Sequence, residues 1–333
     1  ESASELREAL EAQGYVVVAL GPDATAQEME AVARDLMGVR RGKEGAYNGQ
    51  GGVMRQSIQG SSLLDVAEGA PCHLPVQFHN EVAYGKAFPK YVAFAMMRQA
   101  PVDGTTLVCD YAKLTPMLSA GLKSKMRRLG MVYTRQLHDA SERGAPDFFF
   151  SWQDTWGTAS CDEALAQGNG TSDVLVRRTG DRMRHLMWRP LFQPHPVHGE
   201  LFFNSLLNMH GSWLRDHAVW GKLPLAERPM HCLWGDGSEL SDAELGEIRA
   251  LHEACSTPLR LRPGDVLVVD NRRFAHGRTP YCGDRLLGLL LSDTIPAVGA
   301  EEPPEAFKAF AAHVRHAHLH VQPERGPGPF SSL

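Results

Sequence analysis

Nowhere in its 333 residues does the chain hold an apolar run approaching the roughly 20 positions that a membrane-spanning helix needs. The charged opening residues do not read as a signal peptide. There is no basic stripe, and the formal net charge of -5 argues against nucleic acid as a partner. None of the cysteines, Cys72, Cys109, Cys161, Cys232, Cys255 and Cys282, forms a Cys-x-x-Cys pair. That disfavours a disulfide framework or a zinc knuckle and leads us to expect free thiols in a reducing, cytoplasmic compartment. No internal repeat or low-complexity linker divides the chain. Charged residues at 22% and hydrophobic ones at 43% are ordinary for a globular protein, and a single domain over residues 1–333 is expected.

Many short apolar runs and few helices are present. Thr25 with Glu28 is a capping box that opens a helix to Met37, with Met29, Val32 and Leu36 on one face. Ser241 with Glu244 is a second box, opening a helix to about Ala254. Residues 15–20, 76–82, 91–98, 105–109, 265–270 and 286–291 read as strands. A helix is expected from Pro116, in its first turn, to Gly130. Residues 138–185 carry few apolar repeats and read as an insertion, and 305–318 as a terminal helix before a frayed tail. The pattern is β-rich α+β, a sandwich or jelly roll with flanking helices. Its parts are an N-terminal helix, strand and lid segment over about 1–73, a core over 74–292 interrupted near 130–260, and a C-terminal helix and tail from 293.

The sharpest local feature is Phe78-His79-Asn80-Glu81. On a strand, residues i and i+2 face the same way, so His79 and Glu81 can converge on one point. An imidazole and a carboxylate are two of the three ligands in a 2-His-1-carboxylate iron site, which leaves positions open for a co-substrate and O2. Alone, His-x-Glu is a weak signal. The stretch 262–285, RPGDVLVVDNRRFAHGRTPYCGDR, strengthens it. A Pro-Gly turn leads into an apolar strand, a polar turn and His276, and Arg285 follows nine positions later. A metal-binding His beside an Arg that clamps a carboxylate suits this order.

These residues resemble the taurine dioxygenase and clavaminate synthase superfamily of Fe(II)/2-oxoglutarate oxygenases, nearest the branch of the syringomycin-type aspartyl hydroxylase. The resemblance is carried by LPVQFHNEVAYGKAFPKYVAFAMMRQAPVDGTTLVCDY, HPVHGELFFN, WGDGSELSDAELGEIR and the 262–285 stretch, over about residues 74–292. It implies a double-stranded β-helix with a long insertion between the two halves of the iron site. It implies iron ligation by His79, Glu81 and His276. Arg285 and Thr106 would hold the distal carboxylate of 2-oxoglutarate, with Arg278 and Thr105 as competing registers. The implied reaction is hydroxylation of an unactivated C–H with release of succinate and CO2. Desaturation, cyclisation or epoxidation by the same oxidant is the alternative. Glu81 fills the position where halogenating relatives have a small residue, which favours hydroxylation.

For the substrate, the resemblance implies an amino acid, free or tethered to a carrier protein. Arg55, Gln77, Tyr84, Trp152, Trp156 and Asn204 are candidates for the mouth of the site. The Gly-rich segment 41–61 suits a lid, with Arg55 on an anionic group of the substrate. His313, His316, His318 and His320 do not share one helix face, so a second metal site there is not expected. A homo-oligomer is compatible with the sequence. Rival readings are a zinc hydrolase with the same three ligands, a non-catalytic jelly-roll binding module, and a carnitine-pathway oxygenase. The first is disfavoured by Arg285 and Thr106. The second leaves the ligand set unexplained. The third is disfavoured by the lack of Cys before Cys72.

Overall fold

In the strand Tyr91–Arg98, successive side chains go to opposite faces, and both faces are apolar. Val92, Phe94 and Met96 join one core cluster with Leu267, Val269, Leu287 and Leu289. Tyr91, Ala93 and Ala95 join another with Val266, Val268 and Leu290. The strand is therefore central to a sheet covered on both sides. That sheet has five antiparallel strands in the order Tyr15–Ala19, Asp265–Asp270, Tyr91–Arg98, Leu286–Leu291, Leu64–Asp65. The computed structural model describes residues 2–40, 57–65, 70–142 and 150–318.

The helices Ala3–Gln13 and Ala26–Met37 cover the outer face of this sheet through Leu10, Met29, Ala33 and Leu36. The Thr25–Glu28 and Ser241–Glu244 capping boxes form as the sequence predicts. The inner face packs on a second, four-stranded antiparallel sheet. Its order is Ser256–Leu259, Thr106–Asp110, Phe274–Arg278, Val76–His79. Val108 and Phe274 of this second sheet lie in the same cluster as Val92, Phe94 and Met96. Burying each such side chain contributes roughly 1.5–3 kcal/mol.

Three expectations need correction. The strand expected over 76–82 ends at His79, because Asn80 binds side chains and loops instead of a ladder and Val82 has φ 59°. The helix expected over 116–130 is two helices. Asp110 caps the first, Tyr111–Met117, and Pro116 lies near its end; Ser119 caps the second, Ala120–Leu129. The segment 138–185, read as an irregular insertion, supplies the strand Asp173–Arg177 and the start of Met183–Arg189 to a third antiparallel sheet, ordered Met230–Trp234, Met131–Leu137, Met183–Arg189, Asp173–Arg177. The helix Glu305–His318 packs on this sheet through Phe307, Ala311 and Val314. Among the described residues no helix is long and apolar enough to cross a membrane.

Candidate metal centre

His79 ends its strand directly opposite His276 in the antiparallel pairing of Val76–His79 with Phe274–Arg278. Cross-strand partners lie about 4.5–5.5 Å apart at Cβ, so both imidazoles are delivered to one place. Their ring centroids are 4.3 Å apart. Gly277 permits this approach, since a Cβ there would lie 2.7 Å from the Val76 carbonyl oxygen. Glu81 Oε2 lies 3.7 Å from His79 Nε2 and 3.5 Å from His276 Nε2. Donors each about 2.1 Å from one ion sit roughly 3 Å apart at right angles, so this spacing is close to that of a ligand set. The three donor atoms lie within 4.8 Å of one another. His79 Nδ1 is 2.9 Å from the Gln77 carbonyl oxygen, so Nδ1 carries the proton and Nε2 presents its lone pair inward.

Glu81 lies past the end of the strand, in a turn, and its convergence with His79 comes from that turn. Its backbone N–H donates to Asn271 Oδ1 at 2.7 Å. The neighbouring Asn80 side chain donates to the Asn271 and Phe274 carbonyls at 2.7 and 3.3 Å. Val82, a β-branched residue at φ 59°, closes the turn at a local cost of ~1–3 kcal/mol.

These donors open on a cavity of about 130 Å³. Arg285 lines it, 6% exposed, and its Nε and Nη2 make no hydrogen bond. Burial, and then the charge on Arg278, lowers the Arg285 pKa to about 10, which leaves it cationic at neutral pH. A buried guanidinium with two unpartnered nitrogens is costly, and its fork can receive a carboxylate or similar group. Arg278 also lines the cavity, but it donates to the Leu74 carbonyl at 2.9 Å and to the Pro71 and Cys72 carbonyls at longer range. Thr106 lines the cavity, whereas the Thr105 hydroxyl turns away to Asp103 at 3.0 Å. Arg285 and Thr106 thus both line the cavity, while Arg278 is tied to backbone carbonyls and Thr105 to Asp103.

The other expected contacts divide. Tyr84 lines the cavity. Gln77 does not, and offers its backbone carbonyl to His79 instead. Asn204 does not line it either; its backbone N–H donates to Asn80 Oδ1 at 2.9 Å and its carbonyl accepts from Asn80 N at 2.8 Å. Trp152 is buried in a separate cluster with Leu137 and Leu175, against which Trp156 packs. Arg55 and most of the expected lid lie outside the described residues. Sequence reasoning missed Ser205, Asn208, Met209, Trp213 and Met230, all of which line the cavity. The first four lie in a short apolar helix and the turn after it, and Met230 opens the strand Met230–Trp234; neither stretch carries a motif that separates it from core.

A second trio, His210, His231 and Glu239, also clusters. His231 Nδ1 accepts from Gly211 N at 3.0 Å and His210 Nδ1 from Ser212 N at 3.2 Å. Both rings therefore carry their proton on Nε2, and that of His231 is given to Glu239 at 2.8 Å. This is a hydrogen-bonded cluster rather than a donor set. Among the described residues, His313 and His316 join no such cluster.

Residues 1–290 match the family described as "Taurine catabolism dioxygenase TauD, TfdA family". The chain is 25% identical over 240 residues to the dapdiamide synthesis protein DdaC of Enterobacter agglomerans, covering 71% of this chain and 70% of that one. Similar solved structures include AAD-2 with Mn(II) and N-oxalylglycine, at TM-score 0.48 and 16% identity over 89% of each chain. Another is asparagine oxygenase with Fe(II), 2S,3S-3-hydroxyasparagine and succinate, at TM-score 0.49 and 13% identity over 87% of this chain and 77% of that one. The α+β fold of antiparallel sheets, the two-histidine, one-carboxylate centre and the match across 1–290 lead to one statement: the chain belongs to the TauD, TfdA family and is a dioxygenase of the Fe(II)/2-oxoglutarate type.

Proposed function

We propose that this enzyme hydroxylates an unactivated C–H of a small amino-acid-like substrate, free or carrier-tethered, on a double-stranded β-helix. His79, Glu81 and His276 would hold Fe(II). Arg285, with the Thr106 hydroxyl, would hold the distal carboxylate of 2-oxoglutarate. The observation that carries this reading is the buried guanidinium of Arg285, without a hydrogen bond at Nε or Nη2, on the same cavity as the three donors. Arg285 and Thr106, both on that cavity at the positions of a 2-oxoglutarate clamp, argue against a zinc hydrolase. The dapdiamide synthesis relative supports a small-molecule substrate.

Bound by these residues, Fe(II) with 2-oxoglutarate and O2 supplies the oxidising chemistry; C–H, O2 and 2-oxoglutarate become C–OH, succinate and CO2. The chain's own work is placement. The Gln77 carbonyl fixes the His79 tautomer. Arg285 orients the co-substrate by a planar fork. Val82, Phe94, Met209, Met230 and Leu289 form an apolar wall that excludes water and leaves a reacting C–H without polar competitors. Arg55 is assigned to an anionic group of the substrate, on its sequence context alone. Because Glu81 occupies the carboxylate position, hydroxylation is favoured over halogenation.

The test is anaerobic addition of Fe(II) and then 2-oxoglutarate, followed by a screen of amino acids for stimulated succinate release. A weak visible charge-transfer band, lost in Arg285→Leu and in His276→Ala, is expected. Its absence from the wild-type protein would refute the reading.

A further inference from the structure

We infer that Asn271 and Asn80 are positioning residues that set the metal-binding geometry by bracing the two halves of the ligand set across each other. This rests on the assignment of His79, Glu81 and His276 as ligands. The two residues are far apart in sequence, and both are fully buried. Asn271 reaches from the His276 side to the Glu81 side. Its Oδ1 accepts from Glu81 N at 2.7 Å, and its Nδ2 donates to the carbonyls of Glu81 at 3.0 Å and Pro89 at 2.9 Å. Asn80 reaches the other way. Its Nδ2 donates to the Asn271 carbonyl at 2.7 Å and the Phe274 carbonyl at 3.3 Å, two residues before His276. The far side of Asn80 is held in turn. Its Oδ1 accepts from Asn204 N at 2.9 Å and its carbonyl accepts from Ser205 Oγ at 3.0 Å.

The brace is needed because the ladder stops short. Strand pairing fixes His79 against His276, but Glu81 lies beyond the last paired residue, with a left-handed Val82 after it. No ladder bond holds the Glu81 peptide, and both its N–H and its carbonyl go to one carboxamide. A carboxamide supplies one acceptor and two donors in a fixed plane, and Asn271 uses all three. Partners of this kind, once removed from the ion, typically change metal affinity by about 10–100-fold when lost.

Asn169 provides a control for general stability. It has the same three-bond pattern far from the cavity, donating through Nδ2 to Leu165 and Leu175 carbonyls and accepting from Leu175 N. The experiment is titration of the full-length, metal-free protein with Co(II), read by its d–d absorption, beside a denaturant midpoint for each apo-protein. Asn271→Asp keeps the acceptor for Glu81 N–H and loses both donors. It should weaken Co(II) binding by about 10–100-fold, and Asn169→Asp should bind as the wild type does. Where Asn271→Asp does not fold, Asn80→Asp is read by the same criterion. Unchanged affinity in the folded Asn271→Asp protein overturns the inference, as does an equal loss in Asn169→Asp. Should His276→Ala bind Co(II) as tightly as the wild type, the ligand assignment itself fails, a different result from either.

Discussion

At the scale of single residues, the cavity's charges are divided between two arginines with different duties. Arg285 has Nε and Nη2 without hydrogen-bond partners and is proposed to take the co-substrate, and Arg278 ties the loop around Leu74 to the strand of His276. Arg285→Lys should therefore raise the 2-oxoglutarate concentration needed for half-maximal succinate formation. An ammonium cannot reproduce the planar fork, and the lost charge-assisted bonding of ~1.5–3 kcal/mol corresponds to roughly a 10–150-fold rise. Arg278→Lys should lower the denaturation midpoint and leave that requirement within about twofold of wild type. The reverse pattern would exchange their roles. His79 and His276 were legible in the sequence because each lies on a strand beside residues that resemble a known motif, and the structure pairs them across adjacent strands. Glu81 and Arg285 took their roles from that resemblance, while the turn that carries Glu81 was not foreseen. Asn271 and Asn80 were not legible as braces. A carboxamide in a turn looks the same whether it faces solvent or holds a ligand's peptide, and only the long-range contacts of the fold tell the two apart.

At the scale of elements, the pairing of Val76–His79 with Phe274–Arg278 sets the site, and Gly277 sets the pairing. A methyl group at 277 would meet the Val76 backbone oxygen at 2.7 Å, and backbone cannot swing aside as a side chain can. Gly277→Ala should cost ~1–3 kcal/mol in denaturant unfolding and weaken Co(II) binding, because it parts His276 from His79. Gly246→Ala is the contrast. Gly246 lies in the helix Asp242–Cys255 with nothing within 4 Å of its would-be Cβ, so this change should stabilise by ~0.5–1 kcal/mol without touching metal affinity. Equal metal affinity in the two variants would mean that the strand pairing tolerates displacement. The elements legible in sequence were those with local signatures. The capping boxes at Thr25 and Ser241 and the apolar runs 91–98, 265–270 and 286–291 all appear where expected. The strands Met131–Leu137, Asp173–Arg177 and Met183–Arg189 were missed. They interleave Arg135, Asp173, His185 and Arg189 with apolar residues, and those polar groups are buried by helices and loops that pack on the sheet from elsewhere in the chain.

At the scale of the whole molecule, packing of three sheets against helices buries several histidines as neutral groups. Burial pulls His252 down to about 4, and His185 and His210 down to about 3, each from an ordinary value near 6.5. Between those values the unfolded chain binds protons that the folded chain does not. Stability from these groups is therefore fully present above about pH 6.5 and is lost as pH falls toward 4, by up to ~1.4 kcal/mol per pH unit for each group. His185 offers the cleanest check. It is 4% exposed, neither ring nitrogen has a hydrogen-bond partner, and Trp156 meets it edge-on at 5.4 Å. Nothing would be left unpaired by His185→Phe, which keeps a flat ring in the same place and removes the titration. Urea midpoints of the wild type and His185→Phe should be close at pH 7.5, or the variant's higher. At pH 5 the variant should be clearly more stable, with a shallower acid limb. Parallel curves, offset by the same amount at both pH values, would mean that His185 takes up no extra proton on unfolding and that the acid sensitivity resides in other groups.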